Sequence, residues 1–84
     1  MGIYKRKQKG SKKGKGVILL KTVREGILTE KALIKNGYYA KKVAPPSQYR
    51  KGCEIAVEID IIKKEEIVKI LKKYGIDDQG IIPL

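Results

Sequence analysis

The sequence predicts an α+β domain whose elements run β-α-β-β-α-β, and three observations carry that prediction. Cys53 to Asp60 alternates strictly between apolar and polar residues; Ile67, Ile70, Leu71 and Tyr74 recur at helical spacing; and Pro45, Pro46 and Pro83 stand only where outer strands would end. Val17-Ile18-Leu19-Leu20 opens the domain as a continuous β-favouring run, which suits a central strand covered on both faces. Thr22 and Glu25 then form a Thr-x-x-Glu capping box. The helix that follows carries Val23, Ile27 and Ile34 on one side, with Glu30 near the middle of that stripe, and stops at Asn36-Gly37.

Residues 38–44 read as a short strand that Pro45-Pro46 confines to an edge, with Tyr38 and Tyr39 pointing one in and one out. After a loop over 47–52, the alternating strand puts Cys53, Ile55, Val57 and Ile59 on one face and Glu54, Ala56, Glu58 and Asp60 on the other. The second helix has the stripe already named, completed by Tyr74, with Val68 beside it. Glu65 and Glu66 begin it, Glu65 stands four before Lys69, Lys72 and Lys73 sit near its negative end, and Gly75 ends it. Gly80-Ile81-Ile82-Pro83-Leu84 closes as an edge strand. This order is the split βαβ of the ferredoxin-like fold. Right-handed crossovers place strands one and three in the middle of a four-stranded antiparallel sheet, with both helices on one face. Cys53, Ile55, Val57 and Ile59 are then expected under the helices, and Glu54, Ala56, Glu58 and Asp60 on the open face. The apolar first strand must also present one side there, so a homodimer through the open face is expected.

A chain of 84 residues and 9.4 kDa has room for one small domain. Its 20 Lys+Arg against 9 Asp+Glu give +11, of which +7 falls on residues 1–16 and +4 on the rest. That first segment has four Gly, seven cations and little that is apolar, so residues 1–16 are expected to be a disordered basic arm ahead of a domain over 17–84. Gly10 to Gly16 has the wrong glycine spacing for a phosphate-cradling loop and lacks its terminal Ser/Thr. With no His and one Cys there is no disulfide framework, no zinc site of the usual Cys/His kind, and no Ser-His-Asp or Cys-His pair. The expectation is a protein that is not an enzyme and has no cofactor and no metal. No apolar run approaches the ~20 residues of a membrane-spanning helix, and the basic start has no apolar stretch behind it to make a signal peptide. A free thiol in such a chain points to the cytoplasm. Abundant Lys, Glu and Ile with three Gln lean towards a heat-adapted source.

Two features could carry function. Cys53 follows Tyr49-Arg50-Lys51-Gly52, where two cations favour a thiolate and Gly52 permits close backbone approach, so it is a candidate nucleophilic or persulfide-carrying thiol. Against this, its phase with the buried apolar face makes it inert packing. Tyr49 either lines a pocket beside it or is an ordinary loop residue. The second feature is the arm, whose Lys5, Arg6, Lys7, Lys9, Lys12, Lys13 and Lys15 could follow phosphates with a salt-steep, sequence-blind affinity for nucleic acid. The alternative is a solvated tail. The central strands contain no aromatic residue to stack bases, and Glu54, Glu58 and Asp60 would repel phosphate, so RNA binding would have to use the arm. Nothing amphipathic or lipidated holds the arm to a membrane.

Residues 17–84 also resemble the selenium/sulfur carrier protein-like family. The similarity rests on the opening apolar strand, a helix with Glu30-Lys31 and the late Gly37, the segment Val43-Ala44-Pro45-Pro46-Ser47-Gln48, then Gly52-Cys53-Glu54-Ile55-Ala56, and the Lys-Lys-Tyr-Gly-Ile ending of the last helix. The resemblance implies a carrier thiol at Cys53, positioned by Pro45 and Pro46, and protein partners that donate or accept sulfur or selenium. The chain differs from the pattern in having Glu54 where a Gly commonly follows the Cys, and Gln48 where a charged side chain is common.

Overall fold

The computed structural model describes residues 14–84. The expected disordered arm therefore lies, for residues 1–13, outside the described residues. Its boundary shifts, because the first strand, β1, spans Lys15–Leu20 and takes in two residues assigned to the arm. Helix α1 follows over Val23–Lys35, strand β2 over Lys41–Val43, a 3-10 turn over Ser47–Tyr49, and strand β3 over Ile55–Asp60. A second 3-10 turn, Ile61–Lys63, leads into helix α2 at Lys64–Lys73, and strand β4 closes at Gly80–Pro83. The sheet order is β2-β3-β1-β4, every neighbouring pair antiparallel, which is the ferredoxin-like arrangement with β1 and β3 at the centre.

The helices pack on one face of this sheet. Ile18 and Leu20 of β1, Val57 and Ile59 of β3, Leu33 of α1, and Ile67 and Leu71 of α2 form the main core, with Ile55 and Ile81 packed at its margin. Burying each such side chain is worth ~1.5–3 kcal/mol of transfer free energy. Both helices end in the same way. Gly37 N–H donates to the Ile34 carbonyl and Tyr38 N–H to that of Leu33; Gly75 N–H donates to Lys72 and Ile76 N–H to Leu71. These are two Schellman motifs, for which Gly37 and Gly75 supply the left-handed residue (φ 86° and 70°) and Tyr38 and Ile76 the apolar residue that folds back on the core. Tyr38 is thus committed to a helix cap, so β2 is shorter than the expected strand over 38–44.

Three expectations about the helices need correction. The stripe Val23, Ile27 and Ile34 is exposed, and the face of α1 turned to the sheet is instead Gly26, Thr29, Ala32 and Leu33. Small residues bring the helix close: a Cβ on Gly26 would stand 2.5 Å from Ile55 Cγ2. Glu30, displaced from the core with the stripe, pairs with Lys42 of β2 at 3.0 Å. The capping box is only half made. Thr22 Oγ1 accepts from Glu25 N–H at 3.2 Å, but Glu25 Oε1 is buried with no partner among the described residues, and Val23 N–H donates instead to Glu54 Oε1 at 3.1 Å. Tyr74, expected in the core, caps the C-terminus of α2 and is exposed.

Candidate functional site

The other face of the sheet has a small core of its own. Val17 and Leu19 of β1 and Ala56 of β3 point away from the helices, and Cys53 lies with them, 7% exposed. Val43, Ile82 and Tyr49 pack around this group. The sequence placed Cys53 under the helices, in phase with Ile55. That phase fails because strand pairing starts only at Ile55 and the chain bends at Glu54, which carries Cys53 over to the side of Ala56. Ala56, Glu58 and Asp60 face the open side as expected, while Glu54 does not: its backbone N–H donates to the Lys21 carbonyl and its carboxylate takes the first N–H of α1. The carboxylate next to the thiol in sequence is thus drawn to the helix start.

Cys53 is covered by the segment between β2 and β3. Pro45 is buried, and its carbonyl accepts from Arg50 Nε at 3.1 Å, so the guanidinium clamps the loop to itself. Between these residues, Tyr49 N–H donates to Pro46, Arg50 N–H to Ser47 and Gly52 N–H to Tyr49, winding the Ser47–Tyr49 turn and bringing the half-buried Tyr49 ring against the cluster. Of the loop residues named from the sequence, Tyr49 packs against the cluster that holds the thiol and Pro45 is buried. Lys51 and Gly52 are exposed. Gly52 has open space where a Cβ would stand and no positive φ, so it is not a point of close backbone approach. Val17 and Leu19 were not foreseen as neighbours of Cys53. The signal was present in the unbroken apolar run of β1, which demands a cover on both sides; here the chain's own loop contributes it, and a second copy is not needed to bury them.

A polar cluster adjoins this one. Tyr39 donates to Glu58 Oε1 at 2.6 Å, Lys15 Nζ stands 3.9 Å from the centre of the Tyr39 ring, and the same ammonium lies 3.7 Å from Asp60. The hydrogen bond to Glu58 chiefly, then burial, then the charges of Glu58 and Asp60 push the Tyr39 phenol up to about 12. Lys15, counted with the arm's phosphate-binding cations, is therefore a strand residue with an acidic partner. Lys5, Arg6, Lys7, Lys9, Lys12 and Lys13 lie outside the described residues. Among the described residues no group of His, Cys, Asp and Glu is arranged to hold a metal ion, and no helix is long and apolar enough to cross a membrane.

Fold and site together define a small ferredoxin-like α+β domain with one sheltered thiol on its open sheet face. The chain belongs to the family described as "Putative Se/S carrier protein-like", whose model matches residues 15–83. It is 33% identical over 91 residues to an uncharacterised protein of Methanocaldococcus jannaschii; the match takes in 99% of this chain and 46% of that protein, so the chain spans about half the length of its relative. No solved structure matches it.

Proposed function

We propose that the chain is a sulfur or selenium carrier whose cargo is held on Cys53 as a persulfide-type adduct. The observation that supports this reading is the position of the one cysteine of the family-matched segment: it lies on the open face, under a loop, away from the helix-packed core. The deprotonated Cys53 Sγ attacks the outer sulfur of a persulfide on a donor protein. A new S–S bond forms on Cys53, the donor's S–S bond breaks, the donor cysteine leaves as thiolate, and the proton lost from Cys53 goes to solvent. No external oxidant or reductant is consumed, because the transferred sulfur arrives already oxidised. Transfer to an acceptor thiolate repeats the exchange in the opposite sense. The chain has no His to pair with the thiol, which favours carriage over turnover. Incubation with a cysteine desulfurase and cysteine, followed by intact-mass spectrometry, is expected to show one added sulfur on the wild type and none on Cys53→Ala. Equal sulfur on both would overturn the proposal.

A second reading rests on the six cations and absence of acids in residues 1–13. It makes the arm a sequence-blind nucleic-acid binder, since Glu58 and Asp60 leave the open sheet face unsuited to phosphate. Filter binding of single-stranded RNA should then weaken steeply with salt and vanish when residues 1–13 are deleted; full affinity of the shortened chain would refute it.

A further inference from the structure

Helix α1 leaves four large apolar residues on its solvent side. Val23, Ile27, Leu28 and Ile34 are 47%, 37%, 49% and 56% exposed, and they make up half of the exposed large hydrophobic residues among those described. Projected at ~100° per residue, they flank a row of cations. Arg24, Lys31 and Lys35 run along the middle of the exposed side, with Val23, Ile27 and Ile34 on one flank and Leu28 on the other. Glu30 cannot neutralise this row because it is paired with Lys42. Beyond Leu28, the end of α2 leaves a groove of about 170 Å³ lined by Leu28, Lys31, Ala32, Lys35, Tyr74 and Ile76. Its walls are apolar, and its charged side chains are both cations. Scattered exposed hydrophobic residues need no explanation, but four on one side of one helix, with Leu28 at the lip of an apolar groove, mark a contact surface.

We propose that this side of α1 docks an acidic amphipathic helix of a partner protein. The partner lays its carboxylates along Arg24, Lys31 and Lys35 and seats one large apolar side chain in the groove between Leu28 and Tyr74. Such helix-in-groove recognition takes affinity from the apolar anchor and register from the charges. A second copy of this chain fits poorly, because it would set its own Arg24, Lys31 and Lys35 against the same row. A bilayer surface would attract the cations but is too broad to fill a concavity that one side chain fills. Because α1 packs on the sheet face opposite Cys53, a docked partner leaves the thiol and its covering loop accessible. The inference stands independently of the carrier reading.

The chain contains no Trp, so the fluorescence of a synthetic probe reports binding without background. The probe is a helical peptide with Leu and one Trp along one stripe and Glu along the other. It is expected to bind the full chain, to lose about tenfold in affinity, some 1.4 kcal/mol, with Leu28→Glu, and to be rejected by Lys31→Glu/Lys35→Glu, a double variant that accepts instead the peptide with Lys for Glu. Cys53→Ala should bind like wild type, which separates this result from the fate of the carrier proposal. All the substituted α1 residues are exposed, and circular dichroism checks that the variants fold. The proposal is overturned if the peptide does not bind, if a scrambled peptide of the same composition binds equally, or if Leu28→Glu leaves binding unchanged. It is also overturned if anionic phosphatidylglycerol vesicles are bound through Leu28 in preference to the peptide, or if sedimentation shows a self-associated chain that Leu28→Glu dissociates.

Discussion

On one side of the sheet, seven large and fully buried aliphatic side chains from two strands and two helices pack together; on the other, Val17, Leu19, Ala56 and Cys53 lie beneath a loop. The first cover is held by packing between elements distant in sequence. The second is held by turns closed three residues apart and by the bond from Arg50 to Pro45, with Tyr49 as its main apolar contact. Local opening costs little where few buried contacts are broken, and approaches the global free energy where many are. The helix face therefore sets how stable the domain is, and the loop face sets how readily its thiol is reached.

Two substitutions would separate those roles. Ile67→Ala, in the main core, is expected to lower stability by ~2–5 kcal/mol in urea unfolding, through lost transfer energy and the cavity left behind. Tyr49→Ala should lower it by only about 1 kcal/mol, yet raise the rate at which a disulfide reagent labels native Cys53 about tenfold, the equivalent of ~1.4 kcal/mol of local opening. Equal acceleration by the two variants would mean that the thiol is reached only by global unfolding and that the faces are not independent. The smallest effect concerns the polar rim of the loop face. The Tyr39 phenol is raised from 10.0 to about 12, so its neutral form is the one the fold favours. Its contribution to stability is complete below pH 10 and is lost as the pH climbs through about 12. Solvent around this exposed ring keeps the contribution small. An absorbance titration should lose its latest phenol in Tyr39→Phe, and Glu58→Gln should bring that phenol to lower pH.

Much of this architecture was legible because it depends on local pattern. The alternation of β3 from Ile55, the stripe Ile67, Ile70 and Leu71, the two helix-ending glycines and the prolines of the edge strands each reflect a short-range constraint, and together they gave the topology. Position 53 was misread for the opposite reason. One bend at Glu54 carries Cys53 to the other face, and no periodicity announces a bend whose driving contacts, Lys21 and Val23, lie some thirty residues away. Helix α1 misled in a related way. Most of its large apolar residues mark the exposed side, and its buried side is written in Gly26, Thr29 and Ala32 beside Leu33, small residues that let the helix come close, as Gly26 does to Ile55. The candidate thiol itself was visible as the only cysteine, but its shelter depends on a loop folding over β1, a tertiary event.

The double attachment of Glu54 also bears on how the proposed cargo would be reached. Its N–H is tied to Lys21 and its carboxylate to Val23, so the sulfur-bearing end of the loop is moored to the junction of β1 and α1. Within the loop, Tyr49 is held by short-range turns while Cys53 adjoins the moored Glu54. On the carrier proposal the sulfur would therefore keep a fixed seat, and a donor or acceptor would have to bring its own reactive sulfur forward on a projecting segment.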